Sequence, residues 1–248
     1  MELAGKCALV TGGGKRVGRA IALELGAAGM RVAVHYHSSR EGVQRTCEEI
    51  CRAGSDAFSI QADLSDRAQA RGLVDEAVQR LGGLDLLVPS AASFERVPYA
   101  ELDDAAWDRG LELDLSAPFA LAHQASPALR AARGAIVFIT CSSTTTPFRN
   151  YLPYVVAKGA LKQLMRTLAL ELAPDVRVNA VAPGTVLPPD DMAPGAVTRL
   201  ADTTPLGRIG SAEDIADAVV YLALADFVTG QELVVDGGRS VAGFERYE

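Results

Sequence analysis

The chain has 248 residues, 49% of them hydrophobic, which suits one large α/β domain or two small ones with a substantial core. Its formal net charge of −7 argues against a general nucleic-acid binder, so any cations that matter must act locally. No apolar run reaches the roughly 18 residues of a membrane span, Met1 to Lys6 is too short and polar for a secretory signal, and four cysteines without paired spacing make no disulfide framework, so a reducing cytoplasm is expected.

The first predicted strand is CALVT (7–11), and a helical pattern follows near 16–28. Between them lies TGGGKRVG (11–18), where Gly12, Gly13, Gly14 and Gly18 let the backbone turn sharply and approach a pyrophosphate, while the helix N-terminus offers unpaired N–H donors. Lys15 and Arg16 interrupt these glycines. The second strand, RVAVHYH (31–37), ends in His35, His37, Ser38, Ser39 and Arg40, with no carboxylate before Glu41. NAD binders usually place an acidic residue there for the ribose hydroxyls. Hydroxyls and a guanidinium suit a 2′-phosphate, so NADP(H) is the expected cofactor. His35 and His37 also read as strand residues with satisfied imidazoles.

A helix near 41–53 carries Cys47 and Cys51 one turn apart. No second ligand pair accompanies them, so no metal is expected. The third strand, DAFSIQA (56–62), runs into QADLSD, where Asp63 is placed to reach an adenine. A helix near 66–81, a strand LDLLVPS (84–90), one long helix over 103–130 and a strand AIVFIT (135–140) follow. The next helix, 151–173, opens with Tyr154 and Lys158, four residues apart on one face. A tyrosine of ordinary pKa, about 10, exchanges protons poorly at neutral pH. A neighbouring ammonium and a cationic cofactor would lower that value and fit the phenol for general acid catalysis.

Strands VRVNAVA (176–182) and QELVVDG (231–237) enclose a helix at 212–224 and a Pro/Gly/Asp-rich stretch, 184–210, expected to be an irregular lid and substrate loop. Seven strands alternating with helices predict a single doubly wound parallel α/β sheet, a Rossmann fold over 1–248.

The glycine loop, YVVAK (154–158), VNAVAPG (178–184) and VTGQELVVDGG (228–238) resemble the short-chain dehydrogenase/reductase family over essentially the whole length. Within it the chain is similar to pteridine reductases: Lys-Arg inside the glycine loop, the run His35-Tyr36-His37-x-Ser39, and Asp190-Asp191-Met192 in the substrate loop. Residues 93–98 resemble the segment in which that subgroup sandwiches a pterin, with Phe94 as the aromatic.

The resemblance implies a homotetramer that reduces C=O or C=N with NADPH. It implies Tyr154 as acid and Lys158 holding the ribose. Arg16 would lie over the phosphates and reach the substrate, with Phe94. It extends the cofactor contacts to Gly12, Gly14, Lys15, Val17, Gly18, Tyr36, Ala62, Asp63, Leu64, Ser90, Ala91, Ala92, Pro183, Gly184 and Val186.

The chain also departs from the family. Pro89-Ser90-Ala91-Ala92 stands for Asn-Asn-Ala-Gly, and Ala92 replaces a serine of the pteridine reductases. Asp114 falls on the active-site asparagine, with an expected role of connecting Lys158 to solvent through water. Cys141 falls on the substrate-orienting serine, and a thiol is a weak donor. A reductase of 3-oxoacyl or other small carbonyl compounds is the second reading. An NADP-binding sensor of little or no turnover is the third.

Overall fold

The computed structural model describes residues 2–187 and 194–242. Its sheet contains β1 (Cys7–Val10), β2 (Arg31–Tyr36), β3 (Ala57–Gln61), β4 (Leu86–Val88), β5 (Ala135–Ile139), β6 (Arg177–Pro183) and β7 (Glu232–Val235). All pairings are parallel, in the order β3-β2-β1-β4-β5-β6-β7. The central strands β1 and β5 are buried throughout, as a parallel sheet covered on both faces requires.

On one face lie α1 (Arg16–Ala27), α2 (Arg40–Arg52) and α8 (Ala212–Leu224), which bury Ile21, Leu25, Ile50, Ile215 and Val219 against Ala135 and Val137. On the other lie α3 (Arg67–Leu81), α5 (Ala117–Ala132) and α6 (Leu152–Glu171), which bury Leu73, Leu121, Leu129, Leu161 and Met165 against Ile136 and Phe138. Alternate side chains of β5 thus feed the two cores, the period-2 rule of a strand. Strand order reverses at β1, between β2 and β4, and ligands of such sheets bind beyond the carboxyl ends there.

Three elements differ from expectation. Strand β4 spans only Leu86–Val88, because Pro89 has no N–H to continue the ladder. The predicted helix over 103–130 is three pieces: α4 (Asp104–Leu111), a π-helical turn (Glu112–Ser116) and α5. That wider turn holds Asp114, which is fully buried, and such turns are frequent at functional sites. The stretch 184–210 is not wholly irregular, since α7 occupies Pro194–Asp202. The pattern Asp190-Asp191-Met192 lies outside the described residues.

Pro89 also removes a sheet brace, and Thr11 supplies another. Its buried hydroxyl accepts the N–H groups of Ser90 at 2.9 Å and Ala91 at 3.0 Å, while its own N–H donates to Val88 O at 3.1 Å. Thr11→Val keeps the shape and leaves both amides short of a partner. It should destabilise the fold by about 2 kcal/mol, the typical cost of a buried unsatisfied group, read as a lower midpoint in urea unfolding with an unchanged slope.

Candidate active site

The nucleotide loop is built by close approach. A Cβ on Gly18 would lie 2.4 Å from Gly12 O, and one on Gly42, in the first turn of α2, 2.3 Å from Gly14 O. Only glycines let the loop fold onto α1 and let α2 press against it. Gly12 itself is left-handed, with φ of 69°. Arg16 is left-handed too, with φ of 52°, at the position where the family favours glycine. Its guanidinium donates to the carbonyl of Leu187, so the nucleotide loop is tied to the start of the substrate loop. Lys15 is exposed beside it. Ser39 precedes α2 and packs on Gly14, which brings the Ser38-Ser39-Arg40 run to the glycine loop. The loop has the narrow, side-chain-free cradle and flanking cations that a pyrophosphate and a 2′-phosphate need.

His35 does not belong to that surface. It is 1% exposed, its Nδ1 accepts the Gly12 N–H at 3.2 Å, and its Nε2 donates to Ala62 O at 3.1 Å. Both nitrogens are used, so it offers a cofactor nothing. Burial holds its pKa down to about 4, so it is a neutral brace between the glycine loop and the end of β3. His37 remains exposed, 4.0 Å from the Asp63 carboxylate. Asp63 accepts from the Ser65 backbone and hydroxyl, which holds its carboxyl below the ordinary value. Ala91 approaches the loop closely: a Cβ on Gly12 would lie 3.0 Å from its Cα. Pro183 ends β6, and Gly184 is confined by Asp236, whose Cβ a side chain there would meet at 2.4 Å.

The predicted catalytic pair, Tyr154 and Lys158, stands on α6. Pro153 at its start rests on Gly110 of α4, where a Cβ would lie 2.6 Å from the proline ring, and this contact seats Tyr154. Lys158, 3% exposed, donates to Ile139 O at 3.1 Å and lies 3.3 Å from Asp114 Oδ1. The other Asp114 oxygen accepts the Ser93 N–H at 3.2 Å. Asp114 is therefore a direct, buried counter-ion of Lys158. Burial raises its carboxyl above the usual range against the pull of Lys158.

Tyr154 lies on the same face of α6 as Lys158. Its phenol lies well above the ordinary tyrosine value, first through burial and then through the Cys141 and Asp114 side chains. Lys158 sits 5.4 Å from the ring centroid, but Asp114 compensates its charge. The phenol is thus a protonated donor at neutral pH, the state that reduction needs. Cys141 shares a hydrogen bond with Tyr154, and its Sγ accepts the Ser143 N–H at 3.4 Å.

Phe94 stacks on Tyr151, with centroids 4.3 Å apart and an angle of 20°, and meets the Tyr154 ring edge-on at 4.9 Å. Phe148 closes the group at 5.3 Å from Tyr151. The sequence reading missed Tyr151 and Phe148. Their signal was an aromatic three residues before Tyr154 and another six before it.

Residues 14–240 match the model of the family described as enoyl-(acyl carrier protein) reductase. The chain belongs to the short-chain dehydrogenase/reductase family. It is 34% identical over 239 residues to a 3-oxoacyl-[acyl-carrier-protein] reductase of Staphylococcus aureus, covering 94% of this chain and 97% of that one. Among solved structures it resembles FolM alternative dihydrofolate reductase 1 of Brucella canis in complex with NADP (34% identity, TM-score 0.89, 97% and 96% of the two chains covered). A blue fluorescent protein from a metagenomic library in complex with NADPH is similar (33% identity, TM-score 0.89, 96% and 99% covered). The protein is an NADP-dependent oxidoreductase of this family, which sets the sensor reading aside. Among the described residues no helix is long and apolar enough to cross a membrane and no group of side chains forms a metal site.

Asp114→Asn keeps an acceptor for Ser93 and removes a charge that raises the phenol. The phenol should titrate lower, and alcohol oxidation, which uses the phenolate, should become faster at a fixed pH below that titration. A phenol pKa lower by about 1 raises the phenolate fraction about tenfold. A pH profile of the oxidation rate identical to that of the parent would refute this coupling.

Proposed function

We propose that the protein reduces a C=O or C=N bond of a small planar substrate with NADPH, in the manner of pteridine reductases. The carrying observation is the aromatic wall of Phe94, Phe148 and Tyr151 set against the Tyr154 ring. Phe94 is 55% exposed, a large apolar surface that a flat ligand would cover. The similarity to an alternative dihydrofolate reductase supports this reading.

NADPH, when bound, supplies the hydride. Gly12, Gly14 and Gly18 with Lys15 and Arg16 would hold its pyrophosphate, and Ser38, Ser39 and Arg40 would hold its 2′-phosphate. The remaining steps belong to the chain. Tyr154 gives its proton to the substrate atom that gains electron density. Lys158, fixed by Asp114 and Ile139 O, holds a positive charge behind that phenol. Cys141 orients the substrate through a weak thiol hydrogen bond. A 3-oxoacyl or other small-carbonyl reductase is the second reading, favoured by the likeness to a 3-oxoacyl-[acyl-carrier-protein] reductase.

We further assign a cytoplasmic homo-oligomer, a tetramer by family likeness. Exposed Tyr221 and Leu224 of α8, the fully exposed Phe227 after it, and Leu233 and Val234 of the adjacent β7 supply apolar surface for contact between copies.

Two measurements test the reading. Phe94→Leu should raise KM for dihydrobiopterin about fivefold, equivalent to roughly 1 kcal/mol of lost ring contact. KM for acetoacetyl-CoA should stay unchanged, and an equal rise for both would favour the second reading. Arg40→Ala should weaken NADPH about tenfold, or roughly 1.4 kcal/mol, and spare NADH. Titration of intrinsic fluorescence with each cofactor reads both affinities, and equal losses would place the 2′-phosphate elsewhere.

A further inference from the structure

Four polar side chains that the catalytic pair leaves unused meet beneath the segment carrying Cys141. Glu232, on the edge strand β7, has a side chain only 4% exposed. Its Oε1 accepts the Thr140 hydroxyl at 2.8 Å, and its Oε2 accepts the Thr144 hydroxyl at 3.2 Å. Lys162 Nζ lies 2.6 Å from the same Oε2. Thr140, 2% exposed, also lies 3.1 Å from Val181 O, so its single proton is shared between the two acceptors. Lys162 stands one turn beyond Lys158 and two beyond Tyr154 on the same face of α6.

One carboxylate thus ties together four parts of the fold: β7, the end of β5, the short 3-10 turn Ser142–Thr144, and α6. The two threonines bracket Cys141, one directly before it and one three residues after. Cys141 leads into that turn and meets Tyr154.

We propose that Glu232 is a positioning residue, whose carboxylate holds the Cys141 turn in register with Tyr154 through Thr140 and Thr144, with Lys162 as its counter-ion. The proposal rests on the reading of Cys141 as the group that orients the substrate. Stability alone does not account for the arrangement. The Lys162 side chain is 34% exposed, so its pair with Glu232 is screened by solvent and contributes little to stability. Two leucines in place of Glu232 and Lys162 would fasten β7 to α6 equally well. They would offer the threonine hydroxyls no acceptor. The arrangement therefore has the form of a fixed acceptor on a rigid strand, aimed at both ends of a turn that carries a reacting-site side chain. Small misplacements of such a side chain are costly to turnover.

The test uses the full chain carrying Glu232→Leu with Lys162→Leu, and separately Glu232→Gln and Thr144→Val. Two readouts are followed. One is kcat for NADPH oxidation with dihydrobiopterin or acetoacetyl-CoA, whichever is reduced faster. The other is the rate of Cys141 alkylation by iodoacetamide in the protein alone, mapped by mass spectrometry. The double leucine variant should keep the parental melting temperature and NADPH affinity, lose about tenfold in kcat through misplacement, and alkylate at Cys141 severalfold faster. Glu232→Gln, which retains one acceptor oxygen, should recover most of the rate. In a Cys141→Ala background the leucine pair should add less than about twofold, because the two changes then act on one device. If the leucine pair does not fold, Thr144→Val carries the same expectations for alkylation and for the cycle. An equal fold-loss in both backgrounds, or an alkylation rate that does not move, would overturn the proposal. Alkylation needs no substrate, so failure of the reductase reading would leave that arm intact and distinguishable.

Discussion

A lysine and an aspartate buried together, 3.3 Å apart and almost without solvent, constrain the catalytic side of this fold. Taking two charges out of water is expensive unless each finds partners. Lys158 also has the carbonyl at the end of β5, and Asp114 has the N–H of Ser93. These contacts fix α6 against the sheet, the π-helical turn against α6, and the segment leading to Phe94 against the turn. The wide turn places Asp114 inside, although the surrounding helix is ordinary on either side. The same pair sets the electrostatics. An ammonium neutralised by a neighbouring carboxylate does little for a phenol, so burial dominates and Tyr154 stays protonated. A protonated phenol suits the proposed role of Tyr154 as proton donor in reduction.

On the cofactor side the constraint is steric rather than electrostatic. Glycines admit close backbone contacts, and a buried imidazole and a buried hydroxyl hold the result. His35 links the loop to the end of β3, and Thr11 links it to the residues after β4. Both lie under the loop, and neither is free for a ligand. The cations lie above it. Arg16 joins the two halves of the site, since its left-handed backbone sends the guanidinium to Leu187 and not along α1.

The architecture was legible because parallel strands buried on both faces read as unbroken apolar runs and the helices between them as amphipathic ones. All seven strands fall where those runs lie. The errors came from effects that periodicity does not carry. Pro89 shortened β4 through a missing donor. The π-helical turn was hidden because it keeps helical dihedrals on both sides. Its trace was Asp114 itself, a carboxylate spaced with Leu111, Leu115 and Pro118 on what reads as an apolar stripe. Tyr154 and Lys158 were legible from spacing, but the burial that raises the phenol, and the Asp114 carboxylate forty residues away that adds to it, were not. His35 was assigned to the cofactor because it lies in a run of polar residues at a strand end, and only the fold turns its ring inward.

The departures from the family pattern are not independent losses. Proline after β4 deprives the sheet of a donor, and Thr11 takes over the local amides. Aspartate in place of asparagine adds a buried charge, and Lys158 neutralises it. Cysteine in place of serine weakens a hydrogen-bond donor, and the turn that carries it is held from both ends by Glu232. Each of these three altered groups therefore has a neighbour that limits the damage. A tether cannot make the thiol a stronger donor. Positioning and donor strength are separable contributions to transition-state stabilisation. On the proposed reading of Cys141 the anchored turn serves the first, and the second would fall to the Tyr154 phenol, which its buried setting keeps protonated.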